Sequence, residues 1–286
     1  MIERFRRIAV LGVGLIGGSI AAAARARGLG DRVVAYSPGR DAAEALELGL
    51  VDAVAEDPAA AVDGADLVVL AAPIPVLPSL FAQIAPRLGP DAVLTDAAST
   101  KRSTIVAARQ ALGAGFPRFV PAHPIAGAER HGPAAARSDL FDGCLALLCP
   151  EPDTSAHAYR RIASFWSEIG ARVVDMPAGN HDRLFAEVSH WPHAAVFALC
   201  AAIGGGARAE DALRFAGAGL RDTTRIGASS AGLWADIVLD NREAVLECAA
   251  AFQRELRAML DAIERGDRAA LLERFETASR WRRRLR

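Results

Sequence analysis

The segment Pro121-Ala122-His123-Pro124-Ile125-Ala126-Gly127-Ala128-Glu129 follows an apolar run and holds a histidine between two prolines. Imidazole titrates near neutral pH, so a histidine fixed at a strand end suits general acid or base work. Upstream, Thr95-Asp96-Ala97-Ala98-Ser99-Thr100-Lys101 ends in the only lysine among 33 basic residues. In a chain that otherwise uses arginine, a lone lysine beside a strand end points to a compact ammonium wanted at a substrate, with chance placement as the alternative. The third segment, Gly12-Val13-Gly14-Leu15-Ile16-Gly17, lies directly between Ile8-Ala9-Val10-Leu11 and an alanine-rich stretch. Strand, glycine turn and helix in that order form a dinucleotide phosphate site: Gly12 for the tight turn, Gly14 for close approach of a pyrophosphate, Gly17 for packing of helix on strand. Leu15 and Ile16 open the helix, where free N–H groups and the dipole meet the anion. A tight turn without a ligand is the alternative.

Ala72 and Pro73, directly after the strand pattern at 67–71, belong to the same expected cofactor site. Selectivity rests on the end of the second strand, which reads Ala35-Tyr36-Ser37-Pro38-Gly39-Arg40. An acidic residue there would bind the adenosine ribose and repel a 2′-phosphate. Ser37 removes the repulsion and Arg40 offers a cation, which favours NADP over NAD, although Asp41 follows closely and Arg40 also stands where the next helix begins.

These groups need a scaffold, and the chain's patterning supplies one. Strand-like runs at 8–12, 32–36, 67–71, 92–96, 118–121, 145–149 and 172–175 alternate with helical patterns, the signature of a mostly parallel, doubly wound sheet. The later strands are expected to run antiparallel at one edge. After Pro177 the pattern becomes helical throughout, at 180–203, 210–216, 232–238, 241–265 and 267–284, with Asn241 and Asp267 as N-caps. The expected fold class is α/β, with a Rossmann-like dinucleotide-binding domain over 1–177 and an all-helical domain over 178–286. Apolar helix faces in the second half predict a homodimer through that domain.

Composition narrows the function. With 33 basic and 34 acidic residues the net charge is −1, so no global field draws nucleic acid or an anionic membrane. No apolar run reaches the roughly 18 residues of a membrane helix, and the longest candidate, 194–207, carries three glycines. Cys144, Cys149, Cys200 and Cys248 lack the spacing of zinc or redox pairs, so no metal is expected and a reducing cytoplasm is.

Together with Val188-Ser189-His190-Trp191-Pro192-His193 and Gly219-Leu220-Arg221-Asp222-Thr223-Thr224-Arg225-Ile226, these segments resemble the prephenate and arogenate dehydrogenase family of tyrosine biosynthesis, over nearly the whole chain. The resemblance implies NAD(P)-dependent oxidative decarboxylation of a cyclohexadienyl substrate. His123 then matches the base that accepts the ring hydroxyl proton, and Ser99 the serine that hydrogen-bonds the same hydroxyl. Arg225 matches the arginine that binds substrate carboxylate, a task suited to its planar fork. Arg221, four residues earlier, is a second candidate cation or a surface ion-pair partner. His193 falls near the substrate side chain, and Glu129 matches an acidic loop residue that orders the site, a surface salt bridge being the alternative. His190 is expected to pack or cap and Trp234 to lie in the core, while Trp191 stands where a smaller apolar residue belongs. Prephenate against arogenate stays open. Also open are another dehydrogenase class, of β-hydroxyacid or imine reductase type, and a non-catalytic NADP sensor; a lysine-free helical half weighs against the hydroxyacid version.

Overall fold

A computed structural model describes residues 4–127 and 130–285. Strand and helix alternate through β1 (Ile8–Leu11), α1 (Leu15–Ala26), β2 (Val33–Tyr36), α2 (Asp41–Glu47), β3 (Ala53–Val54), α3 (Pro58–Val62), β4 (Leu67–Leu70), α4 (Leu77–Ile84), β5 (Val93–Asp96), α5 (Arg102–Leu112) and β6 (Phe119–Val120). The six strands form one parallel sheet in the order β3-β2-β1-β4-β5-β6. The expected parallel sheet is therefore present, with β3 as a short strand that the apolar pattern did not reveal.

The chain continues through β7 (Ala122–Pro124), β8 (Leu145–Leu148), α6 (Ala156–Glu168) and β9 (Arg172–Asp175). Here one expectation is corrected. The antiparallel pairing, β7 with β8, belongs to a separate three-stranded sheet, β7-β8-β9, and not to an edge of the first. Pro121 explains the break: without an N–H it cannot extend the β5–β6 ladder, while its carbonyl accepts from the Cys149 amide at 2.9 Å in the second sheet. The run expected as one strand over 118–121 thus ends at Val120, and His123 stands on the strand that follows.

Both faces of the large sheet are covered, which is why its strands read as continuous apolar runs. Ile8 and Val10 of β1 meet Ile20 of α1 and Ile162, Phe165 and Trp166 of α6. Ala9 and Leu11, pointing the other way, meet Phe81 of α4 and Ile105 and Ala108 of α5.

Beyond β9 the chain is helical: α7 (Ala178–Phe185), a π-helical turn at Ala186–His190, α8 (Trp191–Gly204), α9 (Ala209–Phe215), α10 (Ala218–Thr224), α11 (Ala231–Asp240), α12 (Arg242–Glu264) and α13 (Arg268–Arg282). The single helix expected over 180–203 is divided. Pro192 has no amide to give to the preceding turn, and the wider π turn absorbs the missing bond. Helix α10 was not in the periodic pattern. Asp267 caps α13 by accepting from the Ala270 amide at 3.0 Å, as expected. Asn241 makes no such cap, because its side chain turns inward to other partners. Among the described residues no helix is long and apolar enough to cross a membrane.

Candidate active site

The glycine turn sits past the carboxyl end of β1. Gly12 has φ +92°, and a Cβ there would lie 2.5 Å from the carbonyl oxygen of Ala71. A Cβ on Gly17 would come within 1.8 Å of the Gly12 carbonyl, so both positions are closed to any larger residue. Gly14 differs: a Cβ built on it meets nothing within 4 Å. The open space is at the N-cap of α1, which has no side-chain cap, so the Leu15 and Ile16 end of the helix is available to an anion. This arrangement fits a dinucleotide pyrophosphate. Ala72 belongs to the same wall, since its amide nitrogen is 3.1 Å from the Gly12 Cβ position, and Pro73 follows as an exposed residue. Ser37 comes directly after β2, where the Tyr36 carbonyl accepts from the Gly12 amide at 2.8 Å, and Arg40 is exposed just ahead of α2.

His123 lies beyond the carboxyl end of β5, because the neighbouring Ala122 amide donates to Asp96 Oδ1 at 2.9 Å. Its Nδ1 is 2.9 Å from Nε2 of His181, and His181 Nδ1 is 2.8 Å from Asp182 Oδ1. The Asp182 carboxylate also accepts the backbone amides of Lys101, at 2.8 Å, and Arg102, at 2.9 Å. Burial opposes charge on Asp182, but the hydrogen bonds from His181 and those two amides outweigh it and hold its pKa below the usual carboxylate range. Burial lowers the His123 pKa well below the ordinary imidazole value, helped by His181, Lys101 and His190. Burial also lowers His181, against the pull of Asp182. Both rings are neutral at neutral pH.

Lys101 requires a correction. Its side chain is completely buried, and Nζ donates to Asp96 and to the Ala122 carbonyl. A substrate cannot reach an ammonium enclosed in this way; the lone lysine instead ties the end of β5 to β7, one residue from His123. Ser99 is part-buried in the bend just before it.

His193, in the first turn of α8, bonds the Ser189 carbonyl through Nδ1 at 2.9 Å and stacks on Trp234 with ring centroids 3.4 Å apart. Its pKa is lowered, first by burial and then by the charge of Arg225, which brings those two residues into one neighbourhood. Arg221 is exposed in the last turn of α10, and Arg225 follows at the start of the 3-10 turn Arg225–Ala228. A row of rings links this neighbourhood to His123: His123 to Phe185 at 4.8 Å, Phe185 to His190 at 6.3 Å, His190 to Trp234 at 6.4 Å. Trp234 is thus more than a core residue, while Trp191 turns to Phe252 of α12, at 5.6 Å. Glu129 lies outside the described residues.

Residues 177–277 match the family described as "Prephenate dehydrogenase, dimerization domain", and residues 20–175 match "Prephenate dehydrogenase, nucleotide-binding domain". The chain belongs to the prephenate dehydrogenase family. It is accordingly an oxidoreductase that works with NAD or NADP. A relative within that family, the cyclohexadienyl dehydrogenase of Zymomonas mobilis, is 36% identical over 283 residues, covering 97% of this chain and 95% of the relative. The prephenate dehydrogenase of Bacillus subtilis is 31% identical over 278 residues, covering 96% and 75%. Among solved structures, Aquifex aeolicus prephenate dehydrogenase in complex with hydroxyphenyl propionate and NAD+ superposes with a TM-score of 0.92 at 29% identity, covering 100% of both chains.

Sequence reasoning missed three residues that the structure brings to the candidate site of this prephenate dehydrogenase family member. His181 and Asp182 stand in Asn180-His181-Asp182-Arg183, which reads only as the polar start of a helix. Asn241 donates to the Asp182 carbonyl at 2.7 Å and contacts His190 Nδ1 at 3.0 Å. An adjacent His-Asp pair was the one available signal; its burial was not legible.

Proposed function

We propose that the chain oxidises and decarboxylates prephenate, arogenate or both, with His123 as the base, Ser99 on the same substrate hydroxyl and Arg225 on a substrate carboxylate. One observation carries the reading: His123 stands past the carboxyl end of β5 with Nδ1 engaged by His181, which leaves Nε2 for a proton. A bound nicotinamide supplies the hydride acceptor, and loss of the ring carboxyl as CO2 then makes the product aromatic. His123 takes the proton from the ring hydroxyl as the C–H electrons leave, and Ser99 orients that hydroxyl. Arg225 and His193 bind the side-chain end, with Arg221 as an outer contact. Gly12, Gly14, Leu15, Ile16, Gly17, Ala72 and Pro73 hold the dinucleotide.

Preference for NADP belongs to the same reading, supported by Ser37 and Arg40 at the end of β2 and by the lack of an acidic residue at 37. The division into working halves falls between 177 and 178, in keeping with β9 ending at Asp175 and α7 starting at Ala178. A second copy covers the helical half. The dimerization-domain match supports this, as do exposed Phe252, Leu256, Leu260 and Ile263 at spacings of four, four and three on α12. Four unpaired cysteines are in keeping with a cytoplasmic setting.

Replacement of the base tests the reading. His123→Asn is expected to lower kcat by about two to four orders of magnitude with KM largely kept. Near-normal turnover in steady-state assays of that variant would remove His123 from the chemistry.

A further inference from the structure

We infer that His181 and Asp182 are positioning residues that fix His123 in the tautomer whose Nε2 carries the lone pair. The inference rests on His123 acting as the base, and it extends the site to two residues contributed by α7.

Donor and acceptor inventory decides the tautomers. An ionised Asp182 can only accept, so the 2.8 Å contact to His181 Nδ1 is an N–H donated by His181. A neutral imidazole has one N–H, so His181 Nε2 is a lone pair. The 2.9 Å contact between that nitrogen and His123 Nδ1 must then be an N–H donated by His123. His123 Nε2 is left unprotonated, as a base requires. Reversing either ring would set two N–H groups or two lone pairs against each other.

The same carboxylate holds more than the histidines. Through the amides of Lys101 and Arg102 it fixes the start of α5, two residues beyond Ser99. One buried group on the helical half therefore sets both the imidazole and the serine-bearing bend of the sheet half. Asn241 Nδ2, on the Asp182 carbonyl at 2.7 Å, ties α7 to α12 behind it.

Two variants and one spectroscopic reading test this. His181→Phe keeps a ring to stack on Phe185, now 4.5 Å away, but removes the acceptor, whereas His181→Gln offers an amide oxygen in its place. His181→Phe should lower kcat by about 10- to 100-fold, part of the range a general base supplies, with KM changed by less than about threefold, and His181→Gln should recover most of the loss. Unchanged kcat in His181→Phe, or equal losses in both variants, would overturn the relay. Independently, nitrogen-15 NMR of histidine-labelled wild-type protein with bound NADP should show His123 protonated at Nδ1 and bare at Nε2. The opposite tautomer would overturn the relay. That spectrum needs no turnover, so it decides the tautomer even where the proposed reaction fails.

Discussion

At the scale of single residues, the site depends on charge placed where burial tolerates it. Arg225 is exposed yet close enough for its charge to lower the His193 pKa, in keeping with the carboxylate-binding role proposed for it. Arg225→Ala is expected to cost about 2 to 3 kcal/mol, read as a rise in KM of about 30- to 150-fold with kcat little changed. An unchanged KM in initial-rate assays would take Arg225 out of the site. His190 makes a different prediction. Burial pushes its pKa down to about 4, and Asn241 Nδ2 holds its Nδ1 at 3.0 Å. The unfolded chain, with an ordinary imidazole near 6.5, binds a proton that the native state refuses between about pH 6.5 and 4, so stability falls as pH drops through that window. By pH 5 this amounts to about 2 kcal/mol, and His190→Gln should flatten the pH dependence of the urea midpoint accordingly. An equal slope in variant and wild type would show that His190 titrates normally. His123 was legible in the sequence because prolines bracket it, whereas Lys101 misled: its rarity was visible, but its enclosure by Asp96 and the Ala122 carbonyl was not.

Elements place these residues through backbone geometry, and the glycine turn separates fold from binding. Gly17→Ala would drive a Cβ to 1.8 Å from the Gly12 carbonyl, so loss of at least about 3 kcal/mol, or failure to fold, is expected. Gly14→Ala has no atom within 4 Å to strike, so stability should stay within about 1 kcal/mol while dinucleotide binding weakens by about tenfold or more. Thermal denaturation and cofactor titration measure the two effects; equal cofactor affinity in Gly14→Ala would mean that the pyrophosphate sits elsewhere. Strands β1, β2, β4, β5 and β8 were legible because burial on both faces writes continuous apolar runs, whereas the largely exposed β9 was legible from its β-branched pair Val173-Val174. The switch of sheets at Pro121 and the π turn ahead of Pro192 were not, since each depends on where a missing N–H falls in the tertiary ladder.

On the scale of the whole molecule, the proposed site lies where the sheet half meets the helical half. The sheet half brings His123 and Ser99, α7 brings His181 and Asp182, and the junction of α11 and α12 supplies Asn241, so neither half holds the relay alone. Sequence periodicity revealed both halves but not this seam, because contacts such as His123 to His181 join residues far apart in the chain with no periodic trace. The outward face of α12 remains apolar, in keeping with a second copy of the chain covering it. Dehydrogenation of a cyclohexadienyl acid is measured directly as nicotinamide reduction by the purified protein, with NAD or NADP against prephenate or arogenate. Turnover is expected with at least one of the two substrates, at a higher kcat/KM with NADP. No reduction in any of the four combinations, by protein shown separately to bind the dinucleotide, would contradict it.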